Sequence, residues 1–240
     1  MAQYIYGRNT VLSALKEHKV KAIYIADGFS LFSILDEIKK QNIIAKTSSK
    51  QDLNRMAQNG NHQGVVAEIE DYKYASLEEI IKKAKKSQYS LIVILDGVKD
   101  PQNLGAILRS CDAFGANGII LKKNGQVGVN STVAKVSTGA IDFVPVAMVT
   151  NLVQAIKTLK NNGYWIVGSD GSAKQDYREI DYKCPIALVV GSEGEGISRL
   201  VLENCDFISK ITMVGHVNSL NASVATAVYL AQIFNNRFPS

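Results

Sequence analysis

The chain has 240 residues, 46% of them hydrophobic and 20% charged, with a formal net charge of +5. It is long enough for one large domain or two small ones, no stretch approaches the roughly 18–20 apolar residues of a membrane span, and the N-terminus MAQYIYGRNT lacks the apolar run of a secretory leader. A soluble cytoplasmic protein is therefore expected, and its mild positive charge, spread over the chain, would serve a polyanionic partner by placement rather than by bulk.

In chain order, residues 8–19 read as a helix with Val11, Leu12 and Leu15 on one face, and Ala22–Ala26 as a short strand. Phe32, Leu35 and Ile38 mark a second helix, Ile43-Ile44 a strand, residues 50–58 a third helix, and Gly64-Val65-Val66-Ala67 a further strand. This is a small α/β unit, expected over residues 1–70. The polar, aperiodic stretch EDYKYAS suggests a linker over 71–76. Ser76-Leu77-Glu78-Glu79 is a capping-box pattern that opens the next helix.

Residues 77–240 alternate regularly. Strands are expected at Leu91–Leu95, Gly118–Leu121, Phe143–Met148, Tyr164–Gly168, Ile186–Val190 and Phe207–Ile211. Helices are expected near 103–115, 131–138, 151–161, 197–203 and 220–235. Near-continuous apolar strands between helices predict an α/β fold with a mostly parallel sheet covered on both faces. The three cysteines, Cys111, Cys184 and Cys205, read as reduced core thiols. The scattered His18, His62 and His216 give no zinc-like spacing, so no metal is expected.

Ligands of open parallel sheets bind beyond the C-terminal strand ends, and three segments fall there. In LDGVKDPQNLGAILRSCDAFGANGIIL, residues 95–121, Asn103 stands at the predicted helix start as a candidate cap. Leu104, Ile107, Leu108, Cys111 and Phe114 form the buried stripe, and Arg109 lies off it. In IALVVGSEGEGIS, residues 186–198, no Lys-Ser/Thr follows the glycines and their order is wrong for a dinucleotide fingerprint. Glu193 and Glu195 would repel a pyrophosphate, so the glycines are expected to admit something uncharged or cationic. In ITMVGHVNSLNASVA, residues 211–225, Ser219 and Asn221 are both candidate caps, which leaves one of them available for another task.

Together, in this order, these segments resemble the SpoU branch of the SPOUT methyltransferases. The N-terminal YGRNTVLSALKE and HQGVVAEIE resemble the RNA-binding domain that precedes the catalytic domain in the RlmB-like group. The chain departs from the usual pattern at Thr212, where the family has Pro, and at Ala222, where it has Val. The resemblance implies ribose 2′-O-methylation of RNA with S-adenosylmethionine as donor, acting on a guanosine of large-subunit ribosomal RNA or, alternatively, on a tRNA. It implies a deep trefoil knot in the C-terminal domain and a homodimer with the site near the subunit interface. It assigns catalysis to Asn103, Arg109, Glu193, Ser219 and Asn221, and donor binding to Ser169, Gly191, Ile211, Met213 and Leu220. Two other classes compete: a catalytically silent RNA-binding protein on the same fold, and a nucleotide-dependent oxidoreductase, which the missing fingerprint disfavours.

Overall fold

The computed structural model describes residues 3–16, 18–28, 32–69 and 71–239; the side chains of Phe32 and Leu35, expected on a buried helix face, lie outside the described set. The chain divides into two compact units, Met1–Lys73 and Tyr74–Ser240.

The N-terminal unit runs β1 (Gln3–Tyr6), α1 (Arg8–Lys16), β2 (Val20–Ala26), α2 (Phe32–Lys40), β3 (Ile44–Ser48), α3 (Lys50–Met56) and β4 (Val65–Ile69). Its sheet has the order β1-β4-β2-β3. β4 pairs antiparallel with β1 and β2, and β2 pairs parallel with β3. Val11, Leu15, Ile23, Ile34 and Val65 close one core, and Leu53, Ala57 and Val66 a smaller one. Periodicity does not reveal β1, because QYIY is four residues long and no turn signal precedes it.

The C-terminal unit continues with α4 (Leu77–Ala84), β5 (Leu91–Asp96), α5 (Pro101–Ala113), β6 (Gly118–Lys122), α6 (Ser131–Val136), β7 (Val146–Val149), α7 (Leu152–Asn161), β8 (Trp165–Ser169), β9 (Gln175–Asp176), β10 (Ile186–Gly191), α8 (Arg199–Leu202), β11 (Phe207–Lys210) and α9 (Ala222–Arg237). Seven strands form one sheet in the order β7-β6-β5-β10-β8-β11-β9, every pairing parallel. The fold is α/β, as the alternation predicts. β5 and β10 are buried along their whole lengths, which is why they read as unbroken apolar runs. Ile80, Ile92, Ile94, Ile156, Ile166 and Val189 belong to one core cluster between sheet and helices.

Residues 74 and 75 already belong to this second unit. The Val129 N–H donates to the Tyr74 hydroxyl at 2.8 Å, and the Ala75 N–H donates to the Val146 carbonyl at 2.9 Å. The capping box at Ser76 forms in full: the Glu79 N–H donates to Ser76 Oγ at 3.1 Å, and the Ser76 N–H to Glu79 Oε2 at 2.7 Å.

Two expectations shift, and one strand was not foreseen. α5 starts at Pro101 behind Asp100, whose carboxylate accepts the Gln102 N–H at 2.8 Å, so Asn103 is not the cap but a residue of the first turn. The strand expected from Phe143 begins at Val146; Phe143 is exposed and Pro145, which cannot donate to a ladder, precedes the strand. β9 is a two-residue edge strand, too short for any periodic signal. Of the three free thiols, Cys111 is buried while Cys184 and Cys205 are half-buried, and burial pushes the Cys205 thiol up to about 12. At the far end of α9, the buried Arg237 guanidinium donates to the carbonyls of Tyr182, Tyr89, Ser90 and Cys184. Burial brings its pKa down to about 10.

Candidate active site

Parallel pairing lines up the C-terminal strand ends. Gly191 of β10 stands opposite Asp96 of β5, Val190 opposite Ser169 of β8, and Ser169 opposite Ser209 of β11. β5 leads on to β6 and β7 on one side of β10, while β8 lies on its other side. Strand order therefore reverses here, which opens a crevice in a doubly wound sheet.

The loop after β10 turns back on itself: Ser192 and Gly196 exchange two backbone hydrogen bonds of 3.1 Å. A Cβ on Gly191 would lie 2.0 Å from the Gly196 carbonyl carbon and 2.3 Å from the Ile197 nitrogen. The close approach this glycine permits is thus of the loop's own backbone, not first of all of a ligand. Gly196 adopts φ +66°, a left-handed conformation that favours glycine. The loop is anchored by the buried Asp96, which accepts the Ser198 N–H at 2.8 Å.

This geometry presents Glu193 to two amides. Asn103 Nδ2 donates to Glu193 Oε1 at 2.9 Å, Asn221 Nδ2 donates to the same oxygen, and Asn221 Nδ2 also reaches Asn103 Oδ1 at 3.0 Å. The orientation of Asn221 follows from the helix behind it. Its Oδ1 caps α9, accepting the Ser223 N–H at 2.9 Å, the Ser223 hydroxyl at 2.6 Å and the Val224 N–H at 3.4 Å. With the oxygen so committed, the amide nitrogen must face Glu193. One residue therefore does both jobs that the Ser219/Asn221 pair suggested. Because both amides are neutral, they order the carboxylate without cancelling its charge.

Glu193 stands between two hollows. One, of about 340 Å³, is lined by Ser169, Gly191, Ile211, Met213, Ser219 and Leu220 among others, a size within the usual range for small-ligand sites. All five residues assigned to donor binding face it. The other, of about 280 Å³, is lined by Gly97, Val98, Lys99, Asp100 and Asn103 together with the Glu193 loop.

Arg109 is not brought to this cluster. Six residues along α5 from Asn103, it is about 9 Å further along the axis and roughly 120° around it, exposed and outside both hollows. Sequence reasoning missed Asp170, Lys210 and Asn218 in the larger hollow and Lys99 in the smaller. Asp170 follows β8 and Lys210 ends β11, strand ends whose position carried the only available signal. Among the described residues no cluster of His, Cys, Asp or Glu could hold a metal, and no helix is long and apolar enough to cross a membrane.

The chain is similar to known proteins over nearly its whole length. The SpoU rRNA Methylase family profile matches residues 90–231, and the profile for RNA 2′-O ribose methyltransferase substrate binding matches residues 4–75. A Bacillus subtilis protein, YacO, named for the TrmH family of tRNA/rRNA methyltransferases, is 43% identical over 98% of this chain and 96% of its own. The crystal structure of an AdoMet-bound rRNA methyltransferase from Sinorhizobium meliloti is similar with a TM-score of 0.75 and 26% identity, covering 100% of this chain and 88% of that one. The A. aeolicus TrmH/SpoU tRNA modifying enzyme matches with a TM-score of 0.57 and 34% identity over 67% of this chain and 82% of its own.

Proposed function

The chain belongs to the SpoU/TrmH family of RNA methyltransferases, and from that premise we propose that it methylates a ribose 2′-hydroxyl, of a guanosine in large-subunit ribosomal RNA, using S-adenosylmethionine. The observation that carries the reading is Glu193, an uncancelled carboxylate held by two neutral amides between two adjoining hollows.

The residues of the larger hollow fit the donor. Ile211, Met213 and Leu220 offer apolar wall, while Ser169, Asp170 and Asn218 offer hydrogen-bonding groups. When bound, S-adenosylmethionine supplies an electrophilic methyl group on a cationic sulfur. Glu193 suits a neighbouring cation, where it would repel a phosphate. The smaller hollow then takes the acceptor ribose, with Asn103 and Lys99 on its walls. Asn103, Ser219 and Asn221 position groups without adding charge. A ribose hydroxyl becomes nucleophilic as its proton departs or its oxyanion is stabilised. Arg109 binds the target phosphate and stabilises that developing charge. A guanidinium with a pKa above about 12 is a poor general base.

Arg109 lies apart from Glu193 in one chain, so the reading includes a homodimer in which RNA bridges the two. Val224 and Phe234, exposed on α9 beside α5, provide apolar surface for that contact. It also includes a C-terminal trefoil knot, a cytoplasmic setting, and a substrate-binding role for residues 1–70. The A. aeolicus neighbour, a tRNA modifying enzyme, favours tRNA as the second reading.

The test has two arms. Calorimetry should show binding of S-adenosylmethionine and none of NAD. RNA from cells lacking the protein should lose a ribose 2′-O-methyl mark from ribosomal RNA, or from tRNA on the second reading. Loss of a base methylation instead would overturn the assignment.

A further inference from the structure

The wall of the larger hollow includes the segment that follows β11, where Ile211 and Met213 both line the cavity. Thr212, between them, is exposed and does not line the cavity; its hydroxyl donates to Asp176 Oδ2 at 2.5 Å. Asp176 lies on the edge strand β9 opposite Lys210 and is only 9% exposed. Its Oδ1 accepts the Arg178 backbone N–H at 3.0 Å and Nε–H at 2.7 Å, and Arg178 Nη2 reaches Oδ2 at 3.1 Å. The carboxylate is therefore held by Arg178 as well as by Thr212, and both keep it ionised, well below the ordinary carboxylate range.

The start of this segment is held separately. Tyr229, fully buried on α9, donates its hydroxyl to the Ser209 carbonyl at 2.7 Å and contacts Ser209 Oγ at 3.0 Å. β11 is thus fixed from the helix side at Ser209. Beyond Met213 the chain runs out through the exposed Val214 and Val217. Ile211 and Met213 lie between the fixed strand and this exposed loop, and the Thr212–Asp176 bond falls between the two cavity-lining side chains.

We propose that Thr212 and Asp176 form a latch that sets the position of Ile211 and Met213, and through them the affinity for the methyl donor. Thr212 is a positioning residue: its side chain is not part of the lining of the hollow and acts through its two neighbours. The proposal rests on the reading of this hollow as the donor site. It adds that the edge strand β9, outside the hollow, controls how well the hollow binds.

The test measures S-adenosylmethionine affinity by calorimetry and thermal stability in parallel, for wild type, Thr212→Val, Thr212→Ser, Asp176→Ala and the Thr212→Val/Asp176→Ala double variant. Valine keeps the shape and removes the hydroxyl; serine keeps the hydroxyl. A hydrogen bond to a charged group is stronger than a neutral one, but Thr212 is exposed, so Thr212→Val should weaken donor binding about fivefold. Thr212→Ser should stay within about twofold of wild type, and Thr212→Val should add no further loss on the Asp176→Ala background, since interacting groups give non-additive effects. Should Asp176→Ala fail to fold, the valine and serine pair decides alone. A Thr212→Val protein that binds the donor as wild type does would overturn the latch while leaving the donor site intact, as would losses that simply multiply in the double variant. A wild-type protein that does not bind S-adenosylmethionine would overturn the donor-site reading and the latch with it.

Discussion

Asn221 serves α9 with its oxygen and Glu193 with its nitrogen, so the two roles can be separated by substitution. Serine is about as good an N-cap as asparagine, yet it has no amide nitrogen to reach Glu193. Asn221→Ser should therefore leave α9 capped, with a melting temperature within about 2 °C of wild type. It should still lose the bond to the Glu193 carboxylate and the contact with Asn103 Oδ1. Bonds to charged groups contribute about 1.5–3 kcal/mol when buried; Glu193 and Asn221 are exposed, so roughly 1 kcal/mol in the transition state is a fairer figure. That corresponds to a loss of about fivefold in kcat/KM. Asn221→Ala loses the cap as well, at about 1 kcal/mol, which lowers the melting temperature by about 2–4 °C for a unit of this size. Thermal unfolding followed by circular dichroism gives the first quantity, and transfer of labelled methyl to RNA gives the second. If Asn221→Ser matches wild type in turnover, the Asn221–Glu193 contact does not organise the site, and Asn221 is a helix cap and no more. If Asn221→Ser unfolds as readily as Asn221→Ala, the cap argument is wrong.

Arg109→Ala should reduce methyl transfer by about 10²–10³-fold with donor affinity unchanged, because Arg109 stands outside the donor hollow; transfer within threefold of wild type would remove it from the mechanism. Gly191→Ala should destabilise the C-terminal unit by about 2 kcal/mol, since the added carbon meets backbone that no rotamer can clear; an unchanged melting temperature would refute the closed-loop geometry. A truncated chain beginning at Tyr72, which keeps the Tyr74 and Ala75 hydrogen bonds, should bind the donor as the full chain does. Its RNA binding should be weaker, with a log–log salt slope smaller by roughly one for each phosphate that the first unit neutralises in the full chain; equal affinities and slopes would show that the first unit does not hold RNA.

The residues of the site were legible one by one because each stands next to a boundary that periodicity marks. Gly191 closes an unbroken apolar strand, Asn103 stands in the first turn of an amphipathic helix, and Asn221 opens a helix rich in small residues. Strand alternation with helices was enough to imply a parallel sheet, because a strand buried on both faces has no polar side to show. Local patterning could not say which strand lies beside which. Only the insertion of β10 between β5 and β8 brings residues 103, 193 and 221 within hydrogen-bonding distance. Two misses differ in kind. The cap of α5 lies at Asp100 because Pro101 suits the first helical position and the Asp100 carboxylate accepts the Gln102 N–H, a local signal that the choice of Asn103 passed over. β9 escaped notice because two residues have no period; parallel pairing with β11 makes it a strand, and that pairing puts Asp176 behind Thr212. Local sequence determined where each chain segment begins and ends, since caps, glycines and apolar periods act within a turn or two. Tertiary structure decided which ends meet, since a hydrogen bond depends on distance in space and not on separation along the chain.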